Sequence, residues 1–140
     1  MPWIIYAVLS AFFASLAAIF GKIGIKGVDS NLAVAIRTAI IVFFAWAIVL
    51  AEGTATQLKQ WPKHTWIFIV LSAIATGLSW LFYYKALQLG QASKVAPVDK
   101  LSVALTILLA FIFLHEKPTV GNVLGGLLVT AGVLVTVLVG

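Results

Sequence analysis

Cysteine is absent from the 140 residues, and charge is scarce: only 9% are Asp, Glu, Lys or Arg, and just four of these are acids. Without cysteine there is no disulfide framework, thiolate nucleophile or cysteine-bound metal, and the redox compartment is left undetermined. A soluble domain carries about a quarter of its residues charged, so this chain has too few charges to cover a water-facing surface. The two histidines, His64 and His115, stand apart with no partner at metal-ligand spacing. No phosphate loop is present, and no serine has a plausible base. An enzyme, a metal site and a cofactor are therefore not expected. Nine Lys/Arg give a net charge of +5, but over a chain this apolar they make no basic face for nucleic acid. They suit loops lying against anionic lipid.

What is present is apolar. Hydrophobic residues make up 63% of the chain, and the mean hydropathy is +1.15. Three uncharged runs, Trp3–Gly21, Thr65–Tyr84 and Pro118–Gly140, hold 19, 20 and 23 residues. Each is near the roughly 20 residues a bilayer core requires. Two more, Thr38–Ala51 and Leu101–Leu114, hold 14 residues each. These span about 21 Å as helix, short of a core of roughly 30 Å. They reach full length only by extending toward their N-termini, which takes in Arg37 for one and Asp99 with Lys100 for the other. No Lys or Arg precedes the first run, so it lacks the basic region of a signal peptide and reads as a retained transmembrane helix. The expected fold class is all-α, a polytopic membrane protein with five transmembrane helices. It is one domain over residues 1–140, with helices at about 3–21, 31–51, 65–87, 96–114 and 118–139. Asp29-Ser30-Asn31 offers N-cap chemistry for the second helix. Pro97 and Pro118 suit the first turns of the fourth and fifth. The link around His115-Glu116-Lys117 is short enough to make those two helices antiparallel neighbours.

Close approach between helices in lipid comes from small residues. Gly121 and Gly125 form a G-x-x-x-G, with Gly132 two turns further on, which makes the last helix a candidate dimer interface; packing within the chain is the alternative. On the third helix Ser72, Thr76, Ser79/Trp80 and Tyr83 recur at helical spacing. Trp80 falls within the span rather than at its rim, which favours a hydrated cavity over an interfacial aromatic belt.

Tyr84-Lys85-Ala86-Leu87-Gln88-Leu89-Gly90-Gln91-Ala92-Ser93 is followed by an apolar fourth helix, Glu116 and Pro118-Thr119. The chain then closes with Gly125-Gly126-Leu127-Leu128-Val129-Thr130-Ala131-Gly132-Val133-Leu134. With this pattern the whole chain resembles a single EamA-type module of the drug/metabolite transporter superfamily, where most members resemble two fused modules. The last helix and the start Pro2–Lys22 also resemble the small multidrug resistance proteins. The resemblance implies transport of small metabolites or drugs by alternating access, from a site enclosed by two inverted modules. A single module would then pair as an antiparallel homodimer or with a related chain. Where the small multidrug resistance proteins carry a membrane glutamate, this chain has Ala14, so drug-for-proton exchange through that group is not implied. Where EamA modules have a proline in the fourth helix, this chain has Val103; its own proline is Pro97, followed by Asp99-Lys100.

Positive charge is denser on the side holding the ends of helices one and three, with six Lys/Arg against two acids there and three against two opposite. Setting aside Arg37 and Lys100 as intramembrane candidates leaves four against three, and dual topology stays open. An ionisable group within a membrane helix faces protein or water, because its burial in lipid is costly. Arg37, Trp80, Tyr83, Asp99 and Lys100 are therefore the candidate substrate-binding residues. Arg37 would accept a carboxylate or phosphate, and Asp99 could carry a proton; a purely structural Arg37–Asp99 pair is the alternative. Lys22, Lys85 and Lys94 read as solvated or lipid-facing. The expected function is an inner-membrane (plasma-membrane) transporter module for small organic solutes or lipid-linked headgroups. A non-transporting subunit that stabilises another membrane protein is the alternative.

Overall fold

A computed structural model describes residues 1–139. Among them the chain is helical: α1 is Pro2–Gly24, α2 Ser30–Glu52, α3 Lys63–Leu89, α4 Ala92–Asp99, α5 Leu101–Phe113 and α6 Val120–Leu138, with a 3-10 helix at Thr54–Gln60. Taking α4 and α5 as one segment, Ala92–Phe113, five helices are long and apolar enough to cross a membrane. The chain is an all-α, multi-pass membrane protein. Phe43, Phe82, Leu128 and Val135 are exposed, as lipid-facing side chains must be.

The helix ends follow from local chemistry. Asp29 is extended, and its carboxylate accepts the Leu32 amide at 2.8 Å, satisfying one of the orphan N–H groups of α2. Gly53 ends α2 at φ 70°, a left-handed conformation that costs glycine little. Thr119 caps α6 by accepting the Asn122 amide at 3.1 Å, so Pro118 sits just before the cap rather than inside the first turn. Both short apolar runs extend toward their N-termini, α2 starting at Ser30 and the fourth segment at Ala92.

The fourth segment starts earlier than position 96 and is broken. Pro97 is inside α4 rather than in its first turn. Proline brings no N–H, so the Ser93 carbonyl loses its helical partner. The chain then tightens: the Lys100 amide bonds to the Pro97 carbonyl at 3.0 Å, and α5 restarts at Leu101.

The contacts fall into two compact units. One holds Met1–Ile19 with the chain from Leu89 onward, the other Phe20–Gln88. In the first, α5 and α6 pack as a hairpin. Ile107, six residues before the end of α5, lies 3.5 Å from where a Cβ on Gly126 would stand, six residues into α6. That symmetry about the link makes the two helices antiparallel. His115 turns the link through a left-handed φ of 53°, and the Glu116 amide returns to the Ala110 carbonyl at 3.3 Å. Gly140 lies outside the described residues, so the fifth run is described only to position 139.

In the second unit the buried positions are Ile25, Ser30, Val34, Tyr84 and Leu87. Here α2 and α3 meet through large side chains rather than close backbones.

Candidate functional site

Arg37 is the eighth residue of α2, roughly 10 Å along the axis from Ser30. It is half-buried, and it points at α3. Its guanidinium carbon lies 4.5 Å from the centroid of Trp80 and 5.3 Å from that of Tyr84. Trp80 and Tyr84 are four residues apart, so they stand one above the other on the same face of α3. The two aromatic faces attract the cation through their quadrupoles and replace part of the water it has lost. Nη1 of Arg37 is buried and has no hydrogen-bond partner among the described residues.

Tyr84 reaches this position because of Gly21. A Cβ at residue 21 would stand 3.0 Å from the phenol oxygen and 3.2 Å from the carbon bearing it. Close to it, Nζ of Lys22 donates to the Leu87 carbonyl in the last turn of α3. That contact supplies a cation to a helix C-terminus, where carbonyls are unpaired and the dipole is negative. Lys22 is thus a helix cap, not a solvated or lipid-facing side chain. Gln88 Nε2 donates to the Val28 carbonyl at 2.6 Å and ties the end of α3 to the α1–α2 loop. Lys22, Lys26 and Gln88 line an open cleft of about 620 Å³ at this end of the unit. A second cleft of about 340 Å³ has Asp29 and Lys85 among its lining.

Of the five candidate substrate-binding residues, Arg37 and Trp80 are in contact. Tyr83 lies beside Tyr84, ring centroids 6.3 Å apart, one position round the helix from the guanidinium. The hydroxyls Ser72, Thr76 and Ser79 are exposed; the packed face of α3 runs instead through Trp80, Tyr84 and Leu87. Tyr84 is the functional candidate that pattern reading passed over. Its i, i+4 relation to Trp80 was the available signal. Asp99 and Lys100 belong to the other unit and pair with each other at 3.2 Å, at the break between α4 and α5.

On α6 the glycines divide between two faces. Gly126 meets Ile107, Thr130 is half-buried and Val133 is buried. Gly125 and Gly132 each precede that face by one residue, about 100° round the helix, and have open space where a side chain would stand. Gly121 is nearly as open, with only Thr119 Oγ1 at 3.9 Å.

An uncharacterized transporter in the cobO 3′ region of a Sinorhizobium species is 44% identical over 132 residues, which cover 94% of this chain and 94% of that protein. An uncharacterized protein of Methanocaldococcus jannaschii is 31% identical over 100 residues, 65% of this chain and 73% of its own length. No solved structure matches the chain. The model of the EamA-like transporter family matches residues 1–138. Five apolar spans, a relative named as a transporter and a family match along nearly the whole chain point to a membrane transporter rather than an enzyme: the chain belongs to the EamA-like transporter family.

Proposed function

We propose that the chain moves small organic solutes or lipid-linked headgroups across the inner (plasma) membrane by alternating access, with two inverted copies, or one copy and a related chain, enclosing the path. The observation that carries this reading is Arg37. A charge within a membrane helix is costly, reaching at least about 2.5–3.5 kcal/mol at the centre by insertion scales, and Arg37 stands about a third of the way along α2. Here the charge is turned to α3 and clasped by Trp80 and Tyr84, with one nitrogen unpaired. A side chain serving only to anchor the helix end would carry its head to the water. The broken fourth segment supports the same reading, because transporter sites are commonly built at interrupted helices. Pairing draws support from the open face at Gly121, Gly125 and Gly132. It draws more from the Sinorhizobium relative, which bears a transporter's name at nearly this chain's length.

Purified protein in liposomes, challenged with a panel of metabolites, tests the reading. Saturable uptake or counterflow of at least one solute is the expected result. No flux of any solute, together with stable co-purification of a second membrane protein, would instead identify an assembly subunit.

A further inference from the structure

We propose that the solute of this site is an organic anion, whose carboxylate or phosphate oxygen pairs with the Arg37 guanidinium held between Trp80 and Tyr84; the inference rests on the transporter reading above and names its substrate class. Guanidinium nitrogens only donate, so a buried, unpaired Nη1 calls for an acceptor. Cation–π contact is worth about 0.5–2 kcal/mol and offsets some of the charge's desolvation, but it satisfies no N–H. The unit offers no carboxylate for the purpose. Between Phe20 and Gln88 the acids are Asp29 and Glu52. Asp29 accepts the Leu32 amide as the cap of α2, and Glu52 ends that helix, roughly 22 Å along its axis from Arg37.

The surrounding charge has the sign that draws an anion. Lys22 and Lys26 line the larger cleft and Lys85 the smaller, against Asp29 alone on those walls. Neither cleft has Arg37 on its wall, but an excess of positive charge on the same unit raises the concentration of anions around it. It would repel a cationic drug. Tyr84 and Gly21 act as positioning residues. Gly21 leaves the room in which Tyr84 stands, and Tyr84 with Trp80 lies against the guanidinium. Carboxylate and phosphate each present a pair of oxygens to the planar guanidinium fork, whether they come from a free metabolite or a lipid headgroup.

The test is binding, measured apart from flux. Benzoate, glycerol phosphate and uncharged glycerol are titrated calorimetrically into the purified full chain in neutral detergent. Thermal unfolding is followed in parallel in phosphatidylcholine nanodiscs with and without phosphatidate. At least one soluble anion should bind and glycerol should not. Arg37→Gln should weaken that binding by about ten- to a hundredfold, the range for a lost hydrogen bond to a charged group. Arg37→Lys should restore part of it. Gly21→Ala should weaken it with the net charge unchanged. If only phosphatidate raises the unfolding midpoint, and does so in the wild type but not in Arg37→Gln, the anion is a lipid headgroup. No Arg37-dependent response in either arm, with Arg37→Gln and Asp99→Asn lowering the midpoint equally, would make Arg37 half of a structural pair and overturn the inference. Arg37-dependent anion binding without flux would remove the transporter reading alone. Transport of a cation unaffected by Arg37→Gln would remove the anion alone.

Discussion

Single residues carry two separable debts in this chain, one at a helix cap and one at a strained turn. The Asp29 carboxylate is the N-cap of α2, so Asp29→Ala should lower stability by about 1 kcal/mol, read as a lower unfolding midpoint in detergent. His115 holds a left-handed φ of 53° in the α5–α6 link. The left-handed region costs L-residues about 1–2 kcal/mol and glycine almost nothing, although glycine loses more entropy on folding. His115→Gly should therefore raise stability by up to about 1 kcal/mol, read as a higher unfolding midpoint. An unchanged or lowered midpoint would mean that the imidazole makes a compensating contact in the membrane.

At the scale of elements, α6 presents two glycine faces that should respond differently to the same substitution. Gly126 lies against Ile107, so Gly126→Leu overpacks the α5–α6 hairpin and should destabilise the fold by about 1–3 kcal/mol. Gly125 and Gly132 face open space, so leucine at either position should leave the folded chain intact and weaken self-association. Size-exclusion chromatography with light scattering reads the second effect, and thermal unfolding the first. If Gly125→Leu and Gly132→Leu keep the oligomer of the wild type, that face meets lipid. The hydroxyls of Thr38, Thr130 and Thr136 each donate to the carbonyl four residues earlier, at 2.7–2.9 Å. That is how a hydroxyl is satisfied within an apolar span without any ligand.

For the whole molecule the open matter is orientation. The excess of Lys/Arg near one end of the spans is small once Arg37 and Lys100 are set aside, and a weak bias permits insertion in both directions. A cysteine placed at Val139 of this cysteine-free chain should label from both faces of the membrane if the copies are inverted. Labelling from one face only would require parallel copies or a partner of opposite topology. The same preparation allows the double change Arg37→Leu with Asp99→Leu. A transporter that needs its anion site should fold as this variant and lose flux, whereas a merely structural pair should keep it.

The class of the protein was legible in composition alone. Three apolar runs of 19 to 23 residues and two shorter ones, with too few charges for a water-facing surface, call for membrane-spanning helices, which satisfy their own backbone groups where lipid offers no partners. The N-terminal extension of the two short runs was also legible, since about 21 Å of helix cannot cross a core of roughly 30 Å. An N-cap within Asp29-Ser30-Asn31 was readable because its chemistry is local, and the structure picks Asp29 from the three. Three features needed the tertiary structure. Tyr83 and Tyr84 are neighbours with the same chemistry, and only the rotation of α3 about its axis decides that Tyr84 faces Arg37. The room for Tyr84 comes from Gly21 on another helix, a contact that no periodicity within α3 contains. On α6, spacing picks out Gly121, Gly125 and Gly132, yet Gly126 is the glycine that packs against α5. A period of 3.6 residues states which side chains share a face; the direction that face points depends on the neighbouring helix, and that is a property of packing.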